Sequence, residues 1–278
     1  MRIPFYHVDA FTAKVFGGNP AAVCPLDEWL PTEILQAIAA EHNLAETAYY
    51  VARPDGDFDL RWFTPEVEVD LCGHATLASA HVLMSVRPER KQDLQTSVTF
   101  HSKSGPLHVL READKDRDRY TLNFPARPPV HYGEDTQALA RALGAPPQSV
   151  MVARDYLCIF AHESEVRNLA PDMAKLAKLD RFAMIVTAPG SDCDFVSRFF
   201  APSKGIPEDP VTGSAHCTLI PYWADRLGKN ILLAKQISRR GGQLWCESLG
   251  DRVTMSGHAT SFSSGVIELD ETRFDSQL

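Results

Sequence analysis

The sequence predicts an α+β protein built as two similar halves, each with a mostly antiparallel sheet around a central helix. One observation is a motif of Arg, aromatic residue, Phe, any residue and Pro, which occurs at 61–65 and again at 198–202. The other is that Gly-x-Ala follows each copy, at 73–75 and 213–215, and opens a stretch of helical character. Repetition at a nearly constant distance indicates a duplicated architecture. We therefore expect two pseudo-symmetric halves that superpose by a pseudo-twofold and face each other across a cleft.

The chain has 278 residues, which suits two domains at about 100–200 residues each. We place the first half at 1–123 and the second at 124–278, and the proline-rich segment 125–129 is the expected linker. The alternative that the last strand packs on the first half stays open.

Apolar alternation and turn residues predict the first elements of each half. A helix is expected over 32–42, with Thr32 as its N-cap and Asn43 as its stop. The charged run 112–119 has no periodicity and is expected to be an exposed hairpin loop. The strands expected in the first half are 3–10, 21–25, 47–52 and 59–63.

The first central helix is predicted from what its sequence lacks. The stretch that starts at His74 has no charged residue through Val86 when its histidines are neutral, and it is rich in small side chains. A helix without a polar face is a buried helix. The matching helix of the second half is expected over 214–227, starting at Ser214, with an interruption or kink near Pro221.

The remaining elements of the second half follow the same plan. Gly241-Gly242 and Gly250-Asp251 mark turns between late antiparallel strands. The other expected elements are helices over 136–143 and 166–179 and strands over 183–188 and 195–200.

Composition and charge argue against several classes of protein. There are 28 Lys and Arg against 36 Asp and Glu, a net charge of −8, so no basic surface for nucleic acid is expected. No apolar run reaches the roughly 20 residues that span a bilayer, and we expect no membrane segment or signal peptide. The six cysteines are scattered without a CxxC pair, a pattern typical of reduced thiols in the cytoplasm.

The sequence also lacks the motifs that bind common cofactors. It has no GxGxxG, P-loop, HExxH, EF-hand or GxSxG pattern in a suitable context. His74 and His81 share a helix face, but two histidines without a third nearby ligand do not make a metal site. We therefore expect neither a metal nor another cofactor.

The starts of the two central helices are candidate anion sites. Gly73 and Gly213 are expected to let the backbone turn tightly, which leaves the following N–H groups free to bind a carboxylate or phosphate. Two such helix starts facing one cleft would hold a small acid. The plainer alternative is that both glycines only close turns.

Three side chains are candidates for chemistry. Glu46 precedes a strand among small and apolar residues, where partial burial would raise its pKa and suit a general acid/base; otherwise it is a surface glutamate. In that hypothesis Glu46→Gln leaves folding nearly unaffected. Asp209 could cap the second central helix or hold a substrate amine or hydroxyl. Cys72 lies at a helix start, where the dipole lowers a thiol pKa, while Thr212 occupies the matching place.

Five ordered blocks resemble the PhzF family, the phenazine-biosynthesis isomerase and its relatives, from about residue 5 to 260. They are Val-Asp-Ala-Phe-Thr at 8–12 with Gly-Asn-Pro-Ala-Ala-Val at 18–23, Asn-Leu-Ala-Glu-Thr at 43–47, Leu-Cys-Gly-His-Ala-Thr at 71–76, Gly-Ile-Pro-Glu-Asp-Pro-Val-Thr-Gly-Ser-Ala-His at 205–216, and the glycine-containing segments at 240–242 and 250–253.

The resemblance implies a diaminopimelate-epimerase-like fold, catalysis without a cofactor and a homodimer. It implies that Glu46 moves a proton, that His74 and Asp209 contact the substrate, and that the turn of Gly213 and Ser214 binds the substrate carboxylate. The related epimerases use a cysteine at each helix start, whereas this chain has Cys72 at one and Thr212 at the other.

These observations predict a cofactor-independent isomerase that shifts a proton or double bond in a small carboxylic acid. Glu46, His74 and Asp209 are the predicted catalytic residues, and Gly73, Gly213, Ser214 and Cys72 the predicted substrate-binding residues. One alternative is a racemase or epimerase that pairs Cys72 with Glu46 or Asp209. Another is a non-catalytic protein that binds small acids.

Overall fold

The computed structural model describes residues 1–86, 96–114 and 117–270, and these form two compact units. Within the described residues, the first unit comprises 1–16, 20–122 and the chain from 258 onward, and the second comprises 17–19 and 123–257. In the described part of the chain, no helix combines the length and apolar character needed to cross a bilayer.

The first unit is a mixed sheet with two helical crossovers. The strand pairs on either side of α1 and α2 are parallel, β2 with β3 and β4 with β6, and the β3–β4, β6–β7 and β7–β8 pairs are antiparallel. Its elements are β1 (Arg2–Ala10), β2 (Asn19–Leu26), α1 (Thr32–His42), β3 (Glu46–Ala52), β4 (Phe58–Phe63), β5 (Glu68–Val69), α2 (Gly73–His81), β6 (Ser97–Ser102), β7 (Gly105–Asp114) and β8 (Arg117–Pro125).

The second unit repeats this order of elements. Parallel pairs again flank helices, β11 with β12 and β13 with β15, and β12–β13 and β15–β16 are antiparallel. Its elements are β9 (Val130–His131), α3 (Gln137–Leu143), β10 (Ser149–Val152), β11 (Tyr156–Ile159), α4 (Glu163–Asn168), α5 (Met173–Leu176), β12 (Met184–Pro189), β13 (Phe195–Ala201), β14 (Ile206–Asp209), α6 (Gly213–Leu227), β15 (Ile231–Gln236), β16 (Gly242–Ser248) and the beginning of β17 (Arg252–Glu268). From residue 258 onward β17 belongs to the first unit, where it pairs with β1.

The repeated arginine makes the same contacts in both units. Arg61 on β4 binds Glu68 on β5 through two bonds of 2.8 and 2.9 Å. Arg198 on β13 binds Glu208 on β14 through bonds of 2.7 and 3.0 Å. Each guanidinium also lies 4.9–5.0 Å from the ring of the phenylalanine two residues further on. Because each glutamate precedes the first glycine of a central helix by five residues, these bidentate pairs fix the chain that leads into the helix.

Both central helices are buried where the sequence predicted burial. In α2 every residue from His74 to Ala80 is buried, and its Ala, Ser and Thr side chains leave room for close packing. In α6 the run Ala215–Ile220 is buried, and Trp223 is fully enclosed.

Pro221 does not interrupt α6, so the expected interruption is wrong, whereas the expected kink stays a prediction. The helix runs unbroken from Gly213 to Leu227. A proline lacks the N–H that would bond the carbonyl four residues earlier, here that of Cys217. The backbone N–H of Arg127 donates to this carbonyl at 2.8 Å, so the lost helical bond is replaced.

Three local predictions were wrong in detail. The helix expected over 166–179 is two short helices, α4 and α5, and Asp172 begins the second as an N-cap that accepts from the Lys175 N–H. The charged run 112–119 belongs largely to the paired strands β7 and β8, with residues 115 and 116 outside the described residues. There Glu112 and Arg119 pair across the strands at 3.2 Å. Finally, the N-cap of α1 is Pro31, and Thr32 is its first helical residue.

Candidate active site

Glu46 is positioned by the turn between α1 and β3. Asn43 ends α1 in the left-handed conformation, with φ of 48°, and its N–H donates to the Ala39 carbonyl at 3.1 Å. The chain then enters β3 at Glu46, which lies opposite Ala21 of the parallel strand β2. Its side chain is 12% exposed, so the carboxylate is largely removed from water.

Cys72 and His74 flank the first residue of α2. Cys72 is the N-cap in extended conformation, Gly73 begins the helix, and His74 is 4% exposed. The Nε2 of His74 lies 2.9 Å from Oε2 of Glu46. The Sγ of Cys72 lies 3.5 Å from Nδ1 and 3.9 Å from Nε2 of the same ring. The structure thus brings three predicted site residues, Glu46, Cys72 and His74, into one cluster of the first unit.

The cluster determines the charge of its histidine. Burial alone would lower the pKa of His74, but the neighbouring Cys72 and Glu46 outweigh burial and raise this pKa well above its usual value of 6.5. His74 is therefore an imidazolium at neutral pH, next to the Glu46 carboxylate.

The surroundings of Cys72 contradict the expectation of a reactive thiolate. Burial, together with the negative charge of Glu46, raises the pKa of the Cys72 thiol above its usual value of 9.0. The effect of desolvation on the thiol pKa therefore exceeds that of the helix start.

The contact with His74 also corrects the expectation that Glu46→Gln leaves folding unaffected. The buried imidazolium loses its neighbouring carboxylate in that variant. Hydrogen bonds and ion contacts to a charged group contribute about 1.5–3 kcal/mol, which sets the expected loss of stability.

We expect the stability of the protein to fall as the pH rises above neutrality. The folded state holds the His74 proton more tightly than the unfolded state, whose histidine has a pKa of about 6.5. The resulting stabilisation is complete below that pKa and is lost as the pH rises through the raised pKa of the folded state. Chemical denaturation at a series of pH values from about 7 to about 8.5 measures how the free energy of unfolding changes with pH.

The control for this slope is Glu46→Gln, which removes one of the two neighbours that raise the pKa of His74. Its free energy of unfolding should depend less on pH over the same range. Equal slopes in the two proteins would assign the pH dependence to other groups.

A second cluster lies at the start of α6 in the second unit. The carboxylate of Asp209, at the end of β14, accepts hydrogen bonds from Asn19 Nδ2 at 2.8 Å and Thr212 Oγ1 at 2.5 Å. The Gln236 side chain accepts from the Thr212 N–H at 2.9 Å and donates to the Asp209 carbonyl at 2.7 Å. All four residues are buried. The N-cap of α6 is Thr212, so the alternative that Asp209 is the N-cap is wrong.

The first turns of the two central helices have similar chemistry. Neither has an acidic residue, and neither N-cap makes a side-chain capping bond. Gly73 and Gly213 are the first helical residues, each after an N-cap residue in extended conformation, and neither has a positive φ. What each glycine provides is the absence of a side chain over the N–H groups of the first turn.

Ser214, the second residue of α6, contacts a guanidinium group. Its Oγ accepts from Nη2 of Arg154 at 3.2 Å. Arg154 is held in turn by Asp155, a buried carboxylate, through bonds of 3.0 and 2.9 Å. A hydroxyl and a guanidinium therefore lie together at this helix start.

The sequence argument about metals considered only the two histidines of α2. His81 lies at the other end of the helix, with Nδ1 3.1 Å from the Tyr120 hydroxyl and Nε2 3.0 Å from Ser261 Oγ. Around His74, however, donor atoms of Glu46, Cys72 and His74 all lie within 4.8 Å of one another. This combination of ligand types was missed because Glu46 is distant in sequence.

Sequence reasoning also missed Gln236, Asn19 and Arg154. Gln236 had a usable signal, because it continues the buried face of β15 that Leu232 and Ala234 define. A polar residue on the apolar face of a strand indicates a specific hydrogen-bonding role. Asn19 lies in the block at 18–23 that resembles the family, whereas Arg154 had no comparable signal.

Comparisons with known proteins agree over nearly the whole chain. The family model of phenazine biosynthesis-like proteins matches residues 8–265. An uncharacterized isomerase of Pseudomonas aeruginosa is 52% identical, covering 97% of this chain and 100% of the relative. A PhzF-family crystal structure from Enterococcus faecalis has a TM-score of 0.90 at 44% identity and covers 97% of this chain and 100% of that one.

The fold extends to more distant proteins. A hydroxyproline epimerase of Agrobacterium vitis, solved with trans-4-hydroxy-L-proline, has a TM-score of 0.62 and covers 97% of this chain and 93% of that one. Its identity is 11%, so this likeness shows the fold alone. The architecture is therefore shared by PhzF proteins and epimerases of this type.

Proposed function

This chain belongs to the phenazine biosynthesis-like (PhzF) family and is an isomerase, and from this premise we propose that it shifts a proton or double bond in a small carboxylic acid without a cofactor. The observation that carries the proposal is the 2.9 Å contact between the largely buried Glu46 carboxylate and the His74 imidazole. A carboxylate in that position takes a proton from a carbon acid and returns it elsewhere on the same molecule.

In this mechanism Glu46 is the base in the first step and the acid in the second. Its carboxylate takes a proton from one carbon of the substrate, and the electron pair of the broken C–H bond enters the conjugated system. The His74 imidazolium stabilises the negative charge that develops, without changing its own protonation. Protonated Glu46 then delivers the proton to another carbon of the same molecule. The product therefore has the same atoms as the substrate, and Glu46 returns to its carboxylate form.

We propose that the residues of the second cluster also bind substrate. The first turn of α6, with Gly213 and Ser214, offers N–H groups and a hydroxyl suited to a carboxylate, and the first turn at Gly73 offers similar donors. Asp209 is suited to orient an amino or hydroxyl group. These roles are supported by the matching motifs and by the chemistry of each cluster.

The second candidate is a racemase or epimerase that uses the thiol. It is favoured by the place of Cys72, which is the N-cap of α2 and lies 3.5 Å from His74. In that mechanism Cys72 and either Glu46 or Asp209 act on opposite faces of one carbon. Thr212 at the matching N-cap disfavours a mechanism that needs two thiols.

Proton exchange tests the proposal directly. The protein is incubated in heavy water with a panel of unsaturated, amino-substituted and hydroxy-substituted carboxylic acids, and proton spectra are recorded. An isomerase moves a double bond in one of these acids or incorporates deuterium into it, whereas an epimerase incorporates deuterium at a stereocentre that it inverts. A protein that binds an acid without any exchange is the non-catalytic alternative and contradicts the proposal.

Cys72→Ser separates the two enzymes once an active acid is found. Serine is similar in size but is a far weaker acid than a thiol. A glutamate-dependent isomerase should retain activity within about tenfold, whereas a thiol-dependent epimerase should lose about 10²–10⁴-fold. Chiral analysis of the product shows whether a stereocentre is inverted, and circular dichroism shows whether the variant is folded.

We also propose that the chain forms two pseudo-symmetric halves of a diaminopimelate-epimerase-like fold, divided near residue 123 with the last strand packed on the first half, and that the protein is a cytoplasmic homodimer. The shared element order supports the proposed fold.

The proposed location and oligomeric state rest on other features. Six free cysteines support a reducing compartment. Phe16 and Phe262, 70% and 48% exposed, form an aromatic pair suited to an interface. Sedimentation equilibrium distinguishes a dimer from a monomer.

A further inference from the structure

Three donor atoms of different chemical types converge at the start of α2. They are the Cys72 thiol sulfur, an imidazole nitrogen of His74 and a carboxylate oxygen of Glu46, all within 4.8 Å of one another. The Glu46 oxygen lies 2.9 Å and the Cys72 sulfur 3.9 Å from Nε2 of His74. Two donors come from one helix start and the third from the neighbouring strand β3.

The distances between ligand atoms in a tetrahedral zinc site fall between these two values. Zinc lies about 2.3 Å from sulfur and about 2.0–2.2 Å from nitrogen or oxygen, which places neighbouring ligand atoms about 3.3–3.6 Å apart. The oxygen and nitrogen must separate slightly, and the sulfur must approach by up to about 1 Å. Side-chain rotation alone supplies movements of this size.

The donors are also buried and of the right kind. Cys72 and His74 are 6% and 4% exposed. Oε2 of Glu46 is shielded from solvent, and His74 Nε2 lies 2.9 Å from it. A sulfur, nitrogen and oxygen set is typical of zinc, whereas magnesium and calcium prefer oxygen ligands only. Three protein ligands leave the fourth position for water or substrate.

We propose that Cys72, His74 and Glu46 bind a thiophilic divalent cation, zinc above all, and that bound zinc stops proton transfer. Binding rests on the donor geometry, and it releases the thiol proton of Cys72 and one ring proton of His74 to solvent. Inhibition rests on the proposed function, because the metal occupies the carboxylate lone pair that would otherwise take the substrate proton. Zinc would thus be a reversible inhibitor of this isomerase.

Cobalt(II) is the probe that tests the binding. It occupies zinc sites and reports a bound thiolate through a charge-transfer absorption in the near ultraviolet. We expect one equivalent of cobalt to produce this absorption in the full-length protein and zinc, but not magnesium, to abolish it. Absence of the absorption at saturating cobalt overturns the proposal.

Two substitutions assign the ligands. Cys72→Ser should abolish the absorption and weaken zinc binding by at least about 100-fold, since loss of groups that only support metal ligands costs about 10–100-fold. Glu46→Gln should weaken zinc binding while the absorption remains, which keeps the test valid if Cys72→Ser fails to fold. Cys193→Ser is the matched control, because Cys193 is the partly exposed cysteine outside the cluster. Loss of the absorption in Cys193→Ser, with retention in Cys72→Ser, overturns the assignment.

Inhibition by zinc is tested by a separate measurement. Zinc at saturation should abolish deuterium exchange into the active acid, and a chelator should restore it. Exchange that persists with zinc bound contradicts inhibition. If the wild-type protein exchanges no acid, the proposed function fails, while the cobalt absorption still decides the metal site.

Discussion

Glu46→Gln should lower turnover of the true substrate by about 10²–10⁴-fold, the usual contribution of a general acid/base. Glutamine keeps the size of the side chain and an acceptor oxygen for His74, but it cannot take or return a proton. The measurement is kcat for wild type and variant by the exchange assay. The expected loss of stability is no more than about 3 kcal/mol, so the variant should fold.

The matched control is Glu41→Gln, the same change at an exposed residue of α1 five positions earlier. It should have wild-type turnover, because its side chain is outside the cluster. Retention of more than about a tenth of wild-type turnover by Glu46→Gln would move the proton transfer to Cys72 or Asp209.

Trp223→Ala should have the largest effect on stability. Trp223 is fully buried in α6, stacks on Phe195 with ring centroids 5.6 Å apart, and donates its N–H to Thr187 Oγ1 at 3.0 Å. Truncation of a buried tryptophan costs about 3–5 kcal/mol because it leaves a cavity. In a protein of this size the melting temperature should fall by about 6–20 °C.

Differential scanning calorimetry measures this change, and Leu227→Ala is its control. Leu227 ends the same helix but is 41% exposed, so its loss should change stability by no more than about 0.5 kcal/mol. A shift for Trp223→Ala as small as that of Leu227→Ala would mean that this end of α6 adds little to the stability of the second unit. The position of the helix start at Ser214 would then depend on contacts other than those of Trp223.

The positions of the individual site residues were largely readable from local sequence. A glutamate at the head of an apolar strand identified Glu46, and the repeated glycine after an arginine motif identified Gly73 and Gly213 as helix starts. Strands and central helices followed from apolar patterning, and most agree with the structure within a few residues. Failures such as the expected break at Pro221 arose where a distant backbone group, the Arg127 N–H, replaces a local bond.

The contacts that give these residues their chemistry were not readable in this way. Asn19 and Asp209 are hydrogen-bonded although they are 190 residues apart in the chain. The thiol of Cys72 was expected to be acidic from its helix start, and burial reverses that direction. In both cases the property depends on the residues packed around the group, and these residues come from distant parts of the chain.

The sequence by itself determined the duplicated element order, the buried central helices and the identity of the candidate acid/base, because these depend on periodicity and residue type within short segments. Only the tertiary structure decided that Glu46, Cys72 and His74 share one buried cluster and that His74 carries the charge there. Protonation depends on desolvation and on charges a few ångströms away. Those distances exist only after β3 and the start of α2 have packed together.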